Sequence, residues 1–165
     1  SLQPFFKAGR GSGNEDLEIT GSEYFHAMAN VDGVNPLGAV ARTLDTLRGR
    51  GVTKCAMADS EISISENGDV FPCQMLTDDE FCGGNIKTQP IKEILNSEVF
   101  KNVSSFSSTS NEDCKICPIR LLCGGACRAR SYFETGSIFV NSDFCEYEKL
   151  AYINAILEYT ELEEI

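Results

Sequence analysis

Eight cysteines in 165 residues constrain this chain more than any other feature of it. They are Cys55, Cys73, Cys82, Cys114, Cys117, Cys123, Cys127 and Cys145. The dense part runs Cys114-x2-Cys117-x5-Cys123-x3-Cys127; upstream stands Cys55-x12-Gly68-x4-Cys73, and Cys145 follows alone. So many thiols imply disulfides, zinc or iron–sulfur clusters.

Spacing ranks those three chemistries. Cys114-Lys115-Ile116-Cys117 can point two thiolates at one centre across a tight turn, and Pro118 stiffens the exit. Cys123-Gly124-Gly125-Ala126-Cys127 has glycines where a backbone would pass close to a bulky inorganic core. Iron–sulfur clusters take four thiolates each, so seven or eight cysteines match two clusters. They also match two zinc sites, but zinc usually uses paired knuckles, and this chain has a single C-x2-C and one histidine, His26. Disulfides suit a small secreted domain, and the start, Ser1-Leu2-Gln3-Pro4-Phe5-Phe6, has no basic region leading an apolar stretch. Iron–sulfur therefore ranks first, zinc second and disulfides third.

Composition removes other classes. The net charge of −11 argues against nucleic acid and against an anionic membrane surface, and it suits a basic peptide partner. No run approaches the roughly 20 apolar residues of a membrane span. The abrupt apolar start without Met reads as a piece of a longer chain.

Local patterns outline the elements. Residues 1–8 read as a strand and its exit, and Gly9 to Asn14 as a surface turn rather than a phosphate loop. Thr20-Gly21-Ser22-Glu23 is a capping box opening a helix to about Asn30. His26 on that helix reads as packed or exposed rather than as a ligand. Asn35-Pro36 opens a second helix with Leu37, Val40, Ala41, Leu44 and Leu47 on one face. Ile62-Ser63-Ile64-Ser65 alternates as a half-buried strand does, Glu66-Asn67-Gly68-Asp69 reads as a hairpin turn with Asn-Gly at its centre, and Val70 to Cys73 returns. Pro72 marks a strand end or edge.

Residues 77–85 read as a polar loop. A helix from Pro90-Ile91 carries Ile91, Ile94, Leu95 and Val99 on one face, and 104–113 is a serine-rich connector. Leu150, Ile153, Ile156 and Leu157 mark a C-terminal helix, and the acidic tail from Glu158 to Glu164 reads as its solvated end. Residues 104–145 are expected to be ordered by something other than a large apolar core. Arg120, Arg128 and Arg130 flank the cysteines; solvated surface charge is the favoured reading, ahead of pairing with sulfide charge or a peptide carboxylate.

The intervals Cys55, Gly68, Cys73, Cys114, Cys117, Cys123, Cys127 and Cys145, with the words Gly68-Asp69-Val70-Phe71-Pro72-Cys73, Gly84-Asn85-Ile86 and Leu122-Cys123-Gly124-Gly125-Ala126-Cys127, resemble the seven-cysteine signature of SPASM domains. Such domains follow the catalytic barrel of radical S-adenosylmethionine (radical SAM) enzymes that modify peptides and proteins, such as sulfatase-maturating and peptide-thioether-forming enzymes. The resemblance implies two auxiliary [4Fe–4S] clusters, one held by Cys114, Cys117, Cys123 and Cys145, the other by Cys55, Cys73 and Cys127. The fourth ligand of the latter is open. Some relatives use a cysteine about six residues before the Cys55 position, where this chain has Gly49. Either Cys82 takes the role, or the iron keeps a position for a substrate thiolate; Cys82 also reads as a small packed residue beside Phe81.

The resemblance further implies that residues 1–50 are the end of the barrel and a helical connector, and that 51–165 are the auxiliary cluster domain. The expected fold is α+β: a small β-hairpin with flanking helices, organised around two clusters and preceded by a remnant of the barrel end. Partners would be a peptide or protein substrate and the missing N-terminal radical SAM barrel, in the cytoplasm. The catalytic Cys-x3-Cys-x2-Cys is absent, because Cys123-x3-Cys127 is followed by Arg130 at the third place. This chain alone should not cleave S-adenosylmethionine, which would bind only in the full-length enzyme. A standalone electron-transfer or binding module and a structural zinc domain are the rival classes.

Overall fold

The computed structural model describes residues 13–29 and 52–162. The strand expected over 1–8, nearly all of the glycine-rich turn and the helix opening at Asn35-Pro36 lie outside the described residues. Within them the elements are α1 (Gly21–Ala29), β1 (Ser63–Ile64), β2 (Asp69–Phe71), β3 (Gly84–Asn85), α2 (Ile91–Leu95), α3 (Glu98–Ser104), α4 (Arg120–Cys123), α5 (Arg128–Thr135) and α6 (Phe144–Leu162). Mixed helices beside one small antiparallel sheet match the α+β expectation.

The capping box forms as the sequence predicts. The Thr20 backbone N–H donates to Glu23 Oε2 at 2.8 Å, and the Glu23 N–H donates to Thr20 Oγ1 at 3.2 Å. Two orphan donors of α1 are thereby satisfied. The helix then leans on α6: the Gly21 N–H reaches Asp143 Oδ2 at 3.2 Å, and the Tyr24 and Phe144 rings lie 5.8 Å apart.

The hairpin differs from expectation by one residue. Ser63 pairs with Phe71 and Ile64 with Val70, which centres the turn on Asn67. The Gly68 N–H donates to the Ser65 carbonyl at 2.9 Å, so Glu66, Asn67 and Gly68 make a three-residue loop rather than a two-residue Asn-Gly turn. The Ser65 hydroxyl accepts from the Asp69 N–H at 3.1 Å and holds that register. Pro72 stands directly after β2, where no ladder donor is missed. The 77–85 loop conceals β3, which pairs Asp69 with Asn85 and Val70 with Gly84 and makes β2 the central strand.

Burial corrects several faces. Ile62 and Ile64 stay 38% and 48% exposed, because the apolar core covers the central strand and leaves the two-residue edge strand open. The helix expected from Pro90 is two helices: Ser97 Oγ accepts the Phe100 N–H at 3.3 Å and caps a new start at α3. The buried face is therefore Ile94, Phe100 and Val103, while Ile91 and Leu95 face solvent. Val70, Ile94 and Phe100 form one apolar cluster. A second gathers Met57, Phe71, Leu76, Phe81, Val103, Phe106, Cys114, Ala129 and Ile138. Residues 104–145 thus do contribute to a core, through Phe106 from the serine-rich connector and through α5. No described helix is long and apolar enough to cross a membrane.

Candidate metal centre

All eight cysteines are free thiols. Each comes from a turn or an element end. Cys55 precedes a turn in which the Ala56 carbonyl accepts three successive N–H groups, from Asp59, Ser60 and Glu61. Cys73 lies two residues past β2, Cys123 ends α4, Cys127 caps the start of α5, and Cys145 sits in the first turn of α6. The expected tight turn between Cys114 and Cys117 is present, with the Cys117 N–H on the Cys114 carbonyl at 2.9 Å.

The thiols fall into two groups. Cys114, Cys117, Cys123 and Cys145 line one cavity of about 420 Å³, together with Gly125, Ala126, Asn141 and Arg120. Burial pushes the Cys123 thiol up to about 12, with the Glu148 carboxylate and then Cys145 adding to it. Burial raises Cys145 to about 11, with Cys114 contributing next and Cys117 further down. In the other group burial raises Cys55 and Cys73, the neighbouring Cys127 adds to both, and Cys55 adds to Cys73. The Glu61 carboxylate adds to the rise of both Cys55 and Cys73, a neighbour the sequence reading missed because the turn over residues 56–61 brings it back.

Cys82 is not a member of either set of mutually facing thiols. Its sulfur donates to the Gly84 carbonyl at 3.6 Å, and the residue packs on the Met57–Phe71–Phe81 cluster that also carries Cys55 and Cys73. Exposed His26 stands on α1, away in sequence from all of these thiols.

Backbone N–H groups are aimed at three of the sulfurs. Met57 N–H reaches Cys55 Sγ at 3.4 Å, Met75 N–H reaches Cys73 Sγ at 3.4 Å, and Ala126 N–H reaches Cys123 Sγ at 3.1 Å. Such donors favour the thiolate and tune a metal bound to it. The backbone is strained close by: Ala58 and Ala126 both have positive φ, at 54° and 58°, each three residues after a cysteine. Gly124 and Gly125 also take left-handed angles, +66° and +97°. A Cβ at Gly124 would strike Val52, and one at Gly125 would stand 2.5 Å from the Phe106 ring. These glycines are thus required by their protein neighbours.

Two of the flanking arginines are buried, against the surface reading. Arg128 is wholly buried and Arg130 is 4% exposed. The Arg128 guanidinium lies over the Phe106 ring at 4.7 Å, and that of Arg130 over Phe144 at 3.7 Å with Glu134 at 3.6 Å. Alternating polar and apolar residues on α5 hid this, because two aromatic faces rather than apolar spacing make the site.

The donor set fits an iron–sulfur group. Thiolate sulfur is its usual ligand, and four thiols around a cavity of this size suit a polynuclear core better than one zinc ion with sulfurs at about 2.3 Å. Among the described residues no three His, Cys, Asp or Glu side chains converge on a single-ion position.

A chain with this fold and these thiols is an iron–sulfur cluster-binding protein. Residues 55–118 match the SPASM family, described as an iron-sulfur cluster-binding domain. The chain carries a SPASM domain, similar to those of radical SAM maturase-like enzymes. It is 38% identical over 85 residues to the AdoMet-dependent heme synthase of Methanosarcina barkeri, covering 51% of this chain and 23% of that protein. It is 29% identical over 128 residues to a cysteine-type anaerobic sulfatase-maturating enzyme of Clostridium novyi, covering 70% and 34%. The structure of anSMEcpe with bound AdoMet shares the fold at a TM-score of 0.66 and 19% identity, over 99% of this chain and 46% of that one. The complex of anSMEcpe with AdoMet and the Kp18Cys peptide does so at a TM-score of 0.60 and 18% identity, over 99% and 48%. The chain spans a quarter to a third of these curated relatives and under half of these solved chains.

Proposed function

We propose that this chain is the auxiliary region of a radical SAM enzyme that modifies a peptide or protein, and that it holds two [4Fe–4S] clusters. Residues 51–165 would be the cluster domain and 1–50 the end of the barrel with its connector, in a cytoplasmic enzyme. Cys114, Cys117, Cys123 and Cys145 would hold one cluster; Cys55, Cys73 and Cys127 would hold the other. The observation that carries this reading is the division of the thiols into two groups, one of them around a cavity of about 420 Å³.

Such clusters supply one-electron chemistry and an iron position to which a substrate thiolate can bind. The chain's own residues do the rest. N–H donors of Met57, Met75 and Ala126 hold three sulfurs in orientation. The fourth position at the Cys55–Cys73–Cys127 site falls to Cys82, after its bond to Gly84 is exchanged, or stays open to the substrate. A peptide substrate is supported by the likeness to sulfatase-maturating enzymes, and S-adenosylmethionine would bind in the barrel preceding this region.

Anaerobic reconstitution of the full-length protein tests the reading. About eight irons and eight sulfides per chain are expected from two cubanes. Stoichiometric zinc without iron, or a folded protein that takes up neither iron nor sulfide, would overturn it.

A further inference from the structure

Arg128 is the largest fully buried side chain among the described residues. A buried guanidinium is normally matched by a carboxylate, because an uncompensated charge away from water is costly. Here the hydrogen-bond partners among the described residues are neutral. Nη1 donates to the Ile138 carbonyl at 3.3 Å, both terminal nitrogens reach Asn141 Oδ1 at 3.4 Å, and the plane rests on Phe106. Among the described residues Nε–H has no hydrogen-bond partner. The position is a junction. Arg128 follows Cys127 directly, and its acceptor Asn141 also takes a 3.7 Å contact from Cys114 Sγ. The half-buried Glu148 carboxylate also feels its charge.

We propose that Arg128 is a positioning residue for both iron–sulfur sites, an internal counter-charge set between them. The inference rests on the two-cluster reading above. Three or four thiolates outweigh the positive charge of a cubane core, so each loaded site is anionic. A fixed cation shared by both lowers the cost of holding two anions in one small domain. It also favours the reduced form of each, which carries one more negative charge. The buried Arg, whose hydrogen-bond partners among the described residues are all neutral, gains anionic neighbours when the sites are filled.

The test is a pair of variants in the reconstituted full-length protein, Arg128→Gln and Arg128→Lys, read by iron and sulfide content and by a spectroscopically monitored redox titration. The Gln variant is expected to reduce less readily at both sites, by about tenfold in the reduced-to-oxidised ratio at a fixed poise, or ~59 mV for a one-electron couple. The Lys variant keeps the charge and should recover most of that shift. A Gln variant that cannot hold iron while the Lys variant can also supports the assignment. Wild-type potentials in a fully loaded Gln variant, or equal iron loss in both variants, overturns it. A wild-type protein that takes up no iron instead removes the underlying two-cluster reading.

Discussion

The two thiol groups are built in opposite ways. Cys114, Cys117 and Cys123 lie within ten residues, joined by a tight turn and one short helix, and Cys145 closes the group from the start of α6. Cys55, Cys73 and Cys127 come from segments up to 72 residues apart and meet only because the hairpin, the 56–61 turn and α5 pack on one apolar cluster. A local group can form from loop geometry alone. A dispersed group inherits its geometry from the core beneath it, so its metal affinity and the stability of the fold are linked more tightly.

The sharpest way to break this comparison is by iron count. Cys145→Ala and Cys73→Ala should each lower iron from about eight to about four per chain. The double variant Cys73→Ala/Cys127→Ala should lose no more than Cys73→Ala, whereas Cys73→Ala/Cys145→Ala should lose nearly all. If Cys127 paired with Cys145 in this assay, the partition would be wrong.

Phe100→Ala comes next. Its ring is 2% exposed in the Val70–Ile94–Phe100 cluster, and its loss should cost about 3–5 kcal/mol in urea unfolding. The comparison sharpens if iron uptake at the dispersed group falls with that destabilisation while the local group still loads.

Gly125→Ala should cost roughly 1–3 kcal/mol through its left-handed backbone, with the Phe106 ring forced aside, and it should disturb the local group first. Denaturation with parallel iron analysis reads both effects.

The smallest effect belongs to Glu23, on the helix that leans against the element carrying Cys145. The Thr20 backbone N–H, and then its hydroxyl, hold the Glu23 carboxyl below its usual range. A depressed carboxyl contributes stability above its ordinary value and loses it as pH falls through the folded one. Glu23→Gln should therefore match the wild type in acid and fall slightly behind it at neutral pH. Equal behaviour at every pH, followed by helix signal near α1, would remove the capping box from the account.

The chain by itself determined the chemistry and much of the local architecture. Intervals between cysteines, a capping box, an Asn-Gly loop and a proline after a strand are all short-range signals, and each depends on neighbours within a few residues. The tertiary structure decided the rest. It made β2 central by bringing in Gly84–Asn85, turned Ile62, Ile64, Ile91 and Leu95 outward, and drew Phe106 out of a serine-rich connector into the core. It also buried Arg128 and Arg130, because each found an aromatic face contributed by a residue at least 14 positions away. Burial is a property of what surrounds a residue, and for these positions the surroundings come from elsewhere in the chain.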